Sequence, residues 1–108
     1  MTQKEFDKIV KQLNDYSFDI MQNKRPEYTN EDLDVLHNFK ETAERLDISE
    51  LRVWAVFFEK HLHSILSHIN NANLKKSEPI HSRFADVINY CYLGYALFVE
   101  RDGKKKIN

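Results

Sequence analysis

Cysteine is almost missing from this chain: Cys91 is the one cysteine in 108 residues. No intramolecular disulfide can form, and a small domain without one points to a reducing compartment, here taken as the cytoplasm. Glycine and proline are nearly as scarce, with two of each, which leaves too few turn residues for an all-β fold of many short strands. No charge dominates. With 16 basic and 17 acidic residues the net charge is −1, so there is no global field to draw the protein to nucleic acid or to an anionic membrane. Long apolar runs are missing too: the stretch from Phe84 to Val99 is interrupted by Asp86 and Asn89 and falls short of the roughly 20 residues that span a bilayer. The polar start, Met1-Thr2-Gln3-Lys4-Glu5, carries none of the apolar core of a signal peptide.

What is present is charge, at 31% of residues, and an apolar content of 42%, enough to close one core. A single helical domain over residues 1–108 is the expectation. Thr2 and Glu5 have the spacing of a capping box, and Phe6, Ile9, Val10, Leu13, Tyr16, Ile20 and Met21 then recur in steps of three and four, the signature of one helical stripe. This predicts a first helix over about 2–23, ended by Lys24 to Tyr28 because Pro26 lacks a donor and restricts its predecessor. A second helix over 30–46 is capped by Thr29 or Asn30, with Glu31 and Asp32 at its positive end and Leu33, Leu36, Phe39, Ala43 and Leu46 on its buried side. A third over 49–70 starts at Ser49, and is apolar around so much of its girth that it belongs in the centre or in a subunit interface. A fourth over 77–101 is capped by Ser77, with Pro79 in the first turn. Residues 103–108 form a basic tail, in which Lys104-Lys105-Lys106 reads as solvated. Short connectors predict a four-helix up-down bundle, and the apolar breadth of helices three and four predicts a homo-oligomer. Cys91, between two tyrosines, reads as an inert core thiol.

Several kinds of chemistry lack their parts. The chain has no Gly-rich phosphate loop, no Cys-x-x-Cys, no Gly-x-Ser-x-Gly and no His-Glu-x-x-His, which removes P-loop, thiol-zinc, hydrolase-elbow and zincin sites. No two of the five histidines have the one-turn spacing of a helical zinc site. Candidate groups sit instead on helices. Asn38, Glu41, Glu44 and Arg45 follow one side of the second helix, Glu59, Lys60, His61, Ser64 and His68 mark the third, and Arg83, Asp86, Asn89 and Tyr90 mark the fourth. Asp86 stands out, because a carboxylate within an apolar run is costly to bury unless something pairs with it. Carboxylates from adjacent helices can hold Mg²⁺, with waters and substrate phosphates completing the octahedron. Alternatively Asp86 pairs with Arg83 or Lys60 as a structural ion pair. Most of the aromatic residues read as core, with Tyr28 and Tyr90 the better candidates to stack on a base.

Taken together, Lys24 with Glu27-Tyr28, Asn38-Phe39-Lys40, Lys60-His61, Ser77-Glu78-Pro79-Ile80 and Asp86-Val87-Ile88-Asn89-Tyr90 resemble a pattern found in small phage and bacterial proteins. Those proteins are related to the all-α nucleoside triphosphate pyrophosphohydrolases, the MazG-like superfamily, and to the nucleotide-modification-associated helical domains. The resemblance covers residues 24–100. It implies an oligomeric, Mg²⁺-dependent four-helix fold that binds a nucleotide between helices and cleaves (d)NTP to (d)NMP and pyrophosphate. On this reading Glu41, Glu44 and Asp86 surround the metal and carry catalysis. Lys60 and Arg83 meet phosphates, Asn89 and Tyr90 lie near sugar or base, and Tyr28, Asn38 and His61 complete the ligand contacts. The superfamily pairs a Glu-Glu-x-x-Glu helix with a Glu-x-x-Asp helix. Here Asn38, Glu41 and Glu44 stand for the first and Arg83 and Asp86 for the second, and fewer carboxylates mean weaker Mg²⁺ binding. Two further readings follow: a non-catalytic nucleotide binder that sequesters a signalling nucleotide, and a helical interaction or anti-defence module whose third helix docks a host protein.

Overall fold

A computed structural model describes residues 1–28, 34–70 and 79–103, with the backbone alone for 24–28. Among the described residues there are four helices and no strand: α1 Gln3–Tyr28, α2 His37–Leu46, α3 Glu50–Asn70 and α4 Ile80–Arg101. None of them is long and apolar enough to cross a membrane.

Local chemistry sets several helix ends as the sequence predicts. The Thr2 N–H donates to Glu5 Oε2 at 2.7 Å and the Glu5 N–H to Thr2 Oγ1 at 3.1 Å, which completes the capping box of α1. Ser49 Oγ accepts the Arg52 N–H at 3.1 Å at the start of α3, satisfying a donor that the helix itself leaves unpaired. α2 closes on Asp47, which turns left-handed at φ 55° so that the Ile48 N–H returns to the Ala43 carbonyl at 3.1 Å. That hydrogen bond is the long-range closure of a Schellman motif.

Three boundaries differ. α1 continues past Pro26 to Tyr28, because a proline in the last turn costs only one backbone bond to a helix already well over five turns long. α2 begins at His37 rather than near residue 30. Asp34 instead holds the turn ahead of it, with its Oδ1 accepting the Leu36 N–H at 2.9 Å; the expected caps Thr29 and Asn30 lie outside the described residues. α4 begins at Ile80, with Pro79 as its cap residue rather than inside its first turn. Ser77 and the Lys104–Lys106 run also lie outside the described residues.

The core joins α2, α3 and α4 through Leu36, Phe39, Ala43, Val53 and Leu97. Trp54 and Leu51 of α3 and Tyr90, Leu93 and Ala96 of α4 pack around it. Trp54 reaches α4 through a notch at Gly94, and its indole N–H donates to the Tyr90 carbonyl at 2.7 Å. α1 is fastened to α4 by a different link: Asn89 Nδ2 donates to the Ser17 carbonyl at 3.1 Å, both residues being buried.

The helices therefore pack in the order α1, α4, α3, α2. A closed up-down bundle also needs α1 against α2, and that pair is not among the packed ones in the described residues. α1 and α2 face each other across a cleft. Cys91, expected in the core, is exposed, because the buried side of α4 runs through Ala85, Asn89, Gly94 and Leu97.

Candidate functional site

The cleft has a volume of about 580 Å³ and is walled by all four helices. α1 supplies Ile20, Met21 and Gln22; the start of α2 and the turn before it supply Val35, Asn38, Phe39 and Thr42; α3 adds Phe57 and His61; and α4 adds Asp86, Asn89, Tyr90 and Leu93. Size and lining both match small-ligand sites, which are mostly apolar with a few placed polar groups.

Each polar group is set by helix register. Asp86, Asn89 and Tyr90 lie three and four apart on α4 and so share a side of that helix. His61 of α3 meets them from across the α3–α4 seam. Its Nδ1 stands 3.7 Å from Asp86 Oδ2, both side chains being about four-fifths buried. Its ring lies 4.5 Å, centroid to centroid, from that of Tyr90 at a tilt of 42°. Phe39 meets the Tyr90 ring edge to face at 6.2 Å. Tyr90 thus has two aromatic neighbours, His61 and Phe39, and its carbonyl accepts the Trp54 N–H.

Asn89 has a double role. Its amide nitrogen is committed to Ser17, while its Oδ1 is buried without a partner among the described residues. A buried carbonyl oxygen left without a donor costs about 1–3 kcal/mol.

Five of the ten residues expected at the site therefore come together: Asn38, His61, Asp86, Asn89 and Tyr90. Four do not. Glu41 is exposed on α2, 3.3 Å from His37 Nε2 one turn back, and Glu44 is exposed as well. Lys60 is exposed on α3, Arg83 is half-buried on α4, and neither lines the cleft. The tenth, Tyr28, has its side chain outside the described residues.

The expected magnesium triad is not assembled. Among the described residues no three His, Cys, Asp or Glu side chains gather closely enough to share a cation. Glu41 and Glu44 do share a side of α2, but Phe39 and Ala43 turn the other side inward. At 100° per residue, Glu41 lies about 200° from Phe39. One carboxylate of the expected three, Asp86, lines the cleft.

The lining residues that the sequence did not single out are the apolar wall, Ile20, Met21, Val35, Phe39, Phe57 and Leu93, together with Gln22 and Thr42. Their signal was ambiguous, because an apolar residue on a helix stripe looks the same whether it faces a core or a cleft.

Among the described residues the protein is all-helical, with a cleft of about 580 Å³ between its helices. No known family, characterised protein or solved structure matches the chain.

Proposed function

We propose that this protein is a nucleotide-binding protein that holds the base and sugar of its ligand in the cleft without cleaving it. The observation that carries the reading is the convergence of Asn38, His61, Asp86, Asn89 and Tyr90, from three helices, on one cleft of ligand size. The half-buried Tyr90 ring borders the cleft and offers an aromatic contact to a flat heterocycle that enters it. The Asp86 carboxylate accepts hydrogen bonds and donates none when ionised. The favoured ligand is therefore a base whose edge carries N–H groups. The resemblance to MazG-like proteins supports a nucleotide over other flat molecules.

Binding is favoured over pyrophosphate release by the placement of Glu41 and Glu44 away from Asp86. No Lys or Arg is among the described side chains lining the cleft, so the phosphates point out of its mouth and add little affinity. Calorimetry against nucleosides and their mono-, di- and triphosphates tests the reading. Affinities within about tenfold across one nucleoside series, with the ligand recovered intact, are expected. Release of pyrophosphate that is abolished by Asp86→Ala would establish the hydrolase instead.

A further inference from the structure

We propose that the base taken up by the cleft is guanine, recognised by the Asp86 carboxylate through its N1–H and its 2-amino group together. The inference rests on the nucleotide-binding reading above and adds to it the identity of the base.

Among the described side chains that line the cleft, Asp86 is the one carboxylate, and there is no lysine or arginine to pair with it there. Its side chain is only 21% exposed, and His61 Nδ1 stands 3.7 Å from its Oδ2, beyond hydrogen-bond length. An ionised carboxylate carries about four acceptor sites on two oxygens set side by side, and no donor. One imidazole at that distance leaves both oxygens with capacity for a ligand. Much of the surrounding wall is apolar, through Met21, Val35, Phe57 and Leu93, and such surroundings strengthen a polar contact made inside them.

Two adjacent acceptors call for two adjacent donors. Guanine has them, since its N1–H and one 2-amino N–H point the same way along a single edge. Adenine and cytosine set one amino group beside a bare ring nitrogen, and uracil and thymine set one N–H between two carbonyls. Each of these makes a single hydrogen bond to the carboxylate and turns a lone pair toward the anion, which is a penalty as well as a loss. The remaining group on the guanine edge, O6, is an acceptor, and the side-chain amides of Gln22 and Asn38 bring donors to the same cleft.

Calorimetry on the full chain with the 5′-monophosphates of guanosine, inosine, adenosine, cytidine and uridine tests the assignment. Inosine is the sharpest probe, because it keeps N1–H and O6 and lacks only the 2-amino group. Guanosine monophosphate is expected to bind tightest. The inosine compound is expected to bind at least about tenfold more weakly, the loss of one hydrogen bond to a charged group, and the other three at least about tenfold more weakly than the guanosine compound. Asp86→Asn replaces two acceptors with one acceptor and one donor, which match N1–H and O2 of xanthine. That variant is expected to prefer xanthosine monophosphate to guanosine monophosphate, a reversal that loosened packing does not produce. If any other member of the wild-type panel binds as tightly as guanosine monophosphate, the proposal is overturned and the nucleotide reading stands. An Asp86→Asn protein that still favours guanine overturns it too, because another group then reads the base. No binding by any member of the panel removes the nucleotide reading and this proposal together. Should the variant fail to fold, the wild-type ranking decides alone.

Discussion

The indole of Trp54 occupies the space that a side chain at position 94 would need. A Cβ built on Gly94 lies 2.4 Å from two carbons of that ring, well inside any real contact. The same ring donates its N–H to the Tyr90 carbonyl, so the notch at Gly94 is what lets α3 and α4 approach and what holds Tyr90 at the cleft. In an ordinary helix a glycine-to-alanine change stabilises by up to about 1 kcal/mol. Here overpacking, at about 1–3 kcal/mol, opposes it and wins. Gly94→Ala is expected to lower the thermal midpoint, by about 4–8 °C for each kcal/mol lost, and to weaken ligand binding through Tyr90. A midpoint that rises contradicts the packing.

Asn89 gives a ranking rather than a single number. Asn89→Ala removes the bond to Ser17 but also the unpartnered Oδ1, and the two effects partly cancel, leaving a loss of about 1 kcal/mol. Asn89→Asp keeps the shape, loses the donor, and sets a buried charge against the Ser17 carbonyl. It is expected to be the worse variant, and more so at pH 7 than at pH 4, as urea midpoints at the two values will show.

Lys40 ties the turn before α2 to the end of α4, pairing with Asp34 and with Glu100 at once. The hydrogen bonds to Asp34 and then Glu100 raise its amine above the usual range. The bond from Lys40, followed by the Leu36 N–H, holds the Asp34 carboxyl below its ordinary value of 3.8. A depressed carboxyl contributes stability above its unfolded value that is lost as pH falls through the folded one. A raised amine contributes below its unfolded value of 10.5 and loses that as pH rises through the folded one. Lys40→Met is therefore expected to destabilise by a near-constant amount between about pH 5 and 9. Partial exposure keeps this under about 1 kcal/mol. The gap should narrow below about pH 4 in chemical denaturation curves.

Magnesium gives a fourth check. Among the described residues no three His, Cys, Asp or Glu side chains gather around a common point, so without nucleotide neither millimolar Mg²⁺ nor a chelator should move the thermal midpoint. A shift that disappears in Glu41→Gln would restore the metal-dependent reading.

Helix identity was legible where the governing chemistry is local. The Thr2–Glu5 box and the Ser49 cap involve groups three residues apart, and a few residues of sequence contain all of their physics. Partnership was not local. The Phe6-to-Met21 stripe announces a buried face but does not say that α4, rather than α2, covers part of it. Nor does spacing along α2 reveal on its own that Glu41 lies with the solvent. That follows once Phe39 and Ala43 are known to be its anchors, and their burial depends on Val53 and Leu97 of other helices. The α4 group fared better. Asp86, Asn89 and Tyr90 reach one cleft because they share a helix side, and the same interruption of an apolar run that singled out Asp86 marks where the helix borders that cleft.

The most direct test compares ligand binding by the wild type and Asp86→Ala, using calorimetry with a nucleoside or nucleotide whose base carries N–H donors. Asp86 is about four-fifths buried beside His61, and circular dichroism will establish that the variant retains its helices. The account predicts measurable binding by the wild type, at least tenfold weaker binding by the variant, and no turnover by either. Equal affinities in the two proteins, or no binding by a folded wild type across the nucleotide panel, would contradict it.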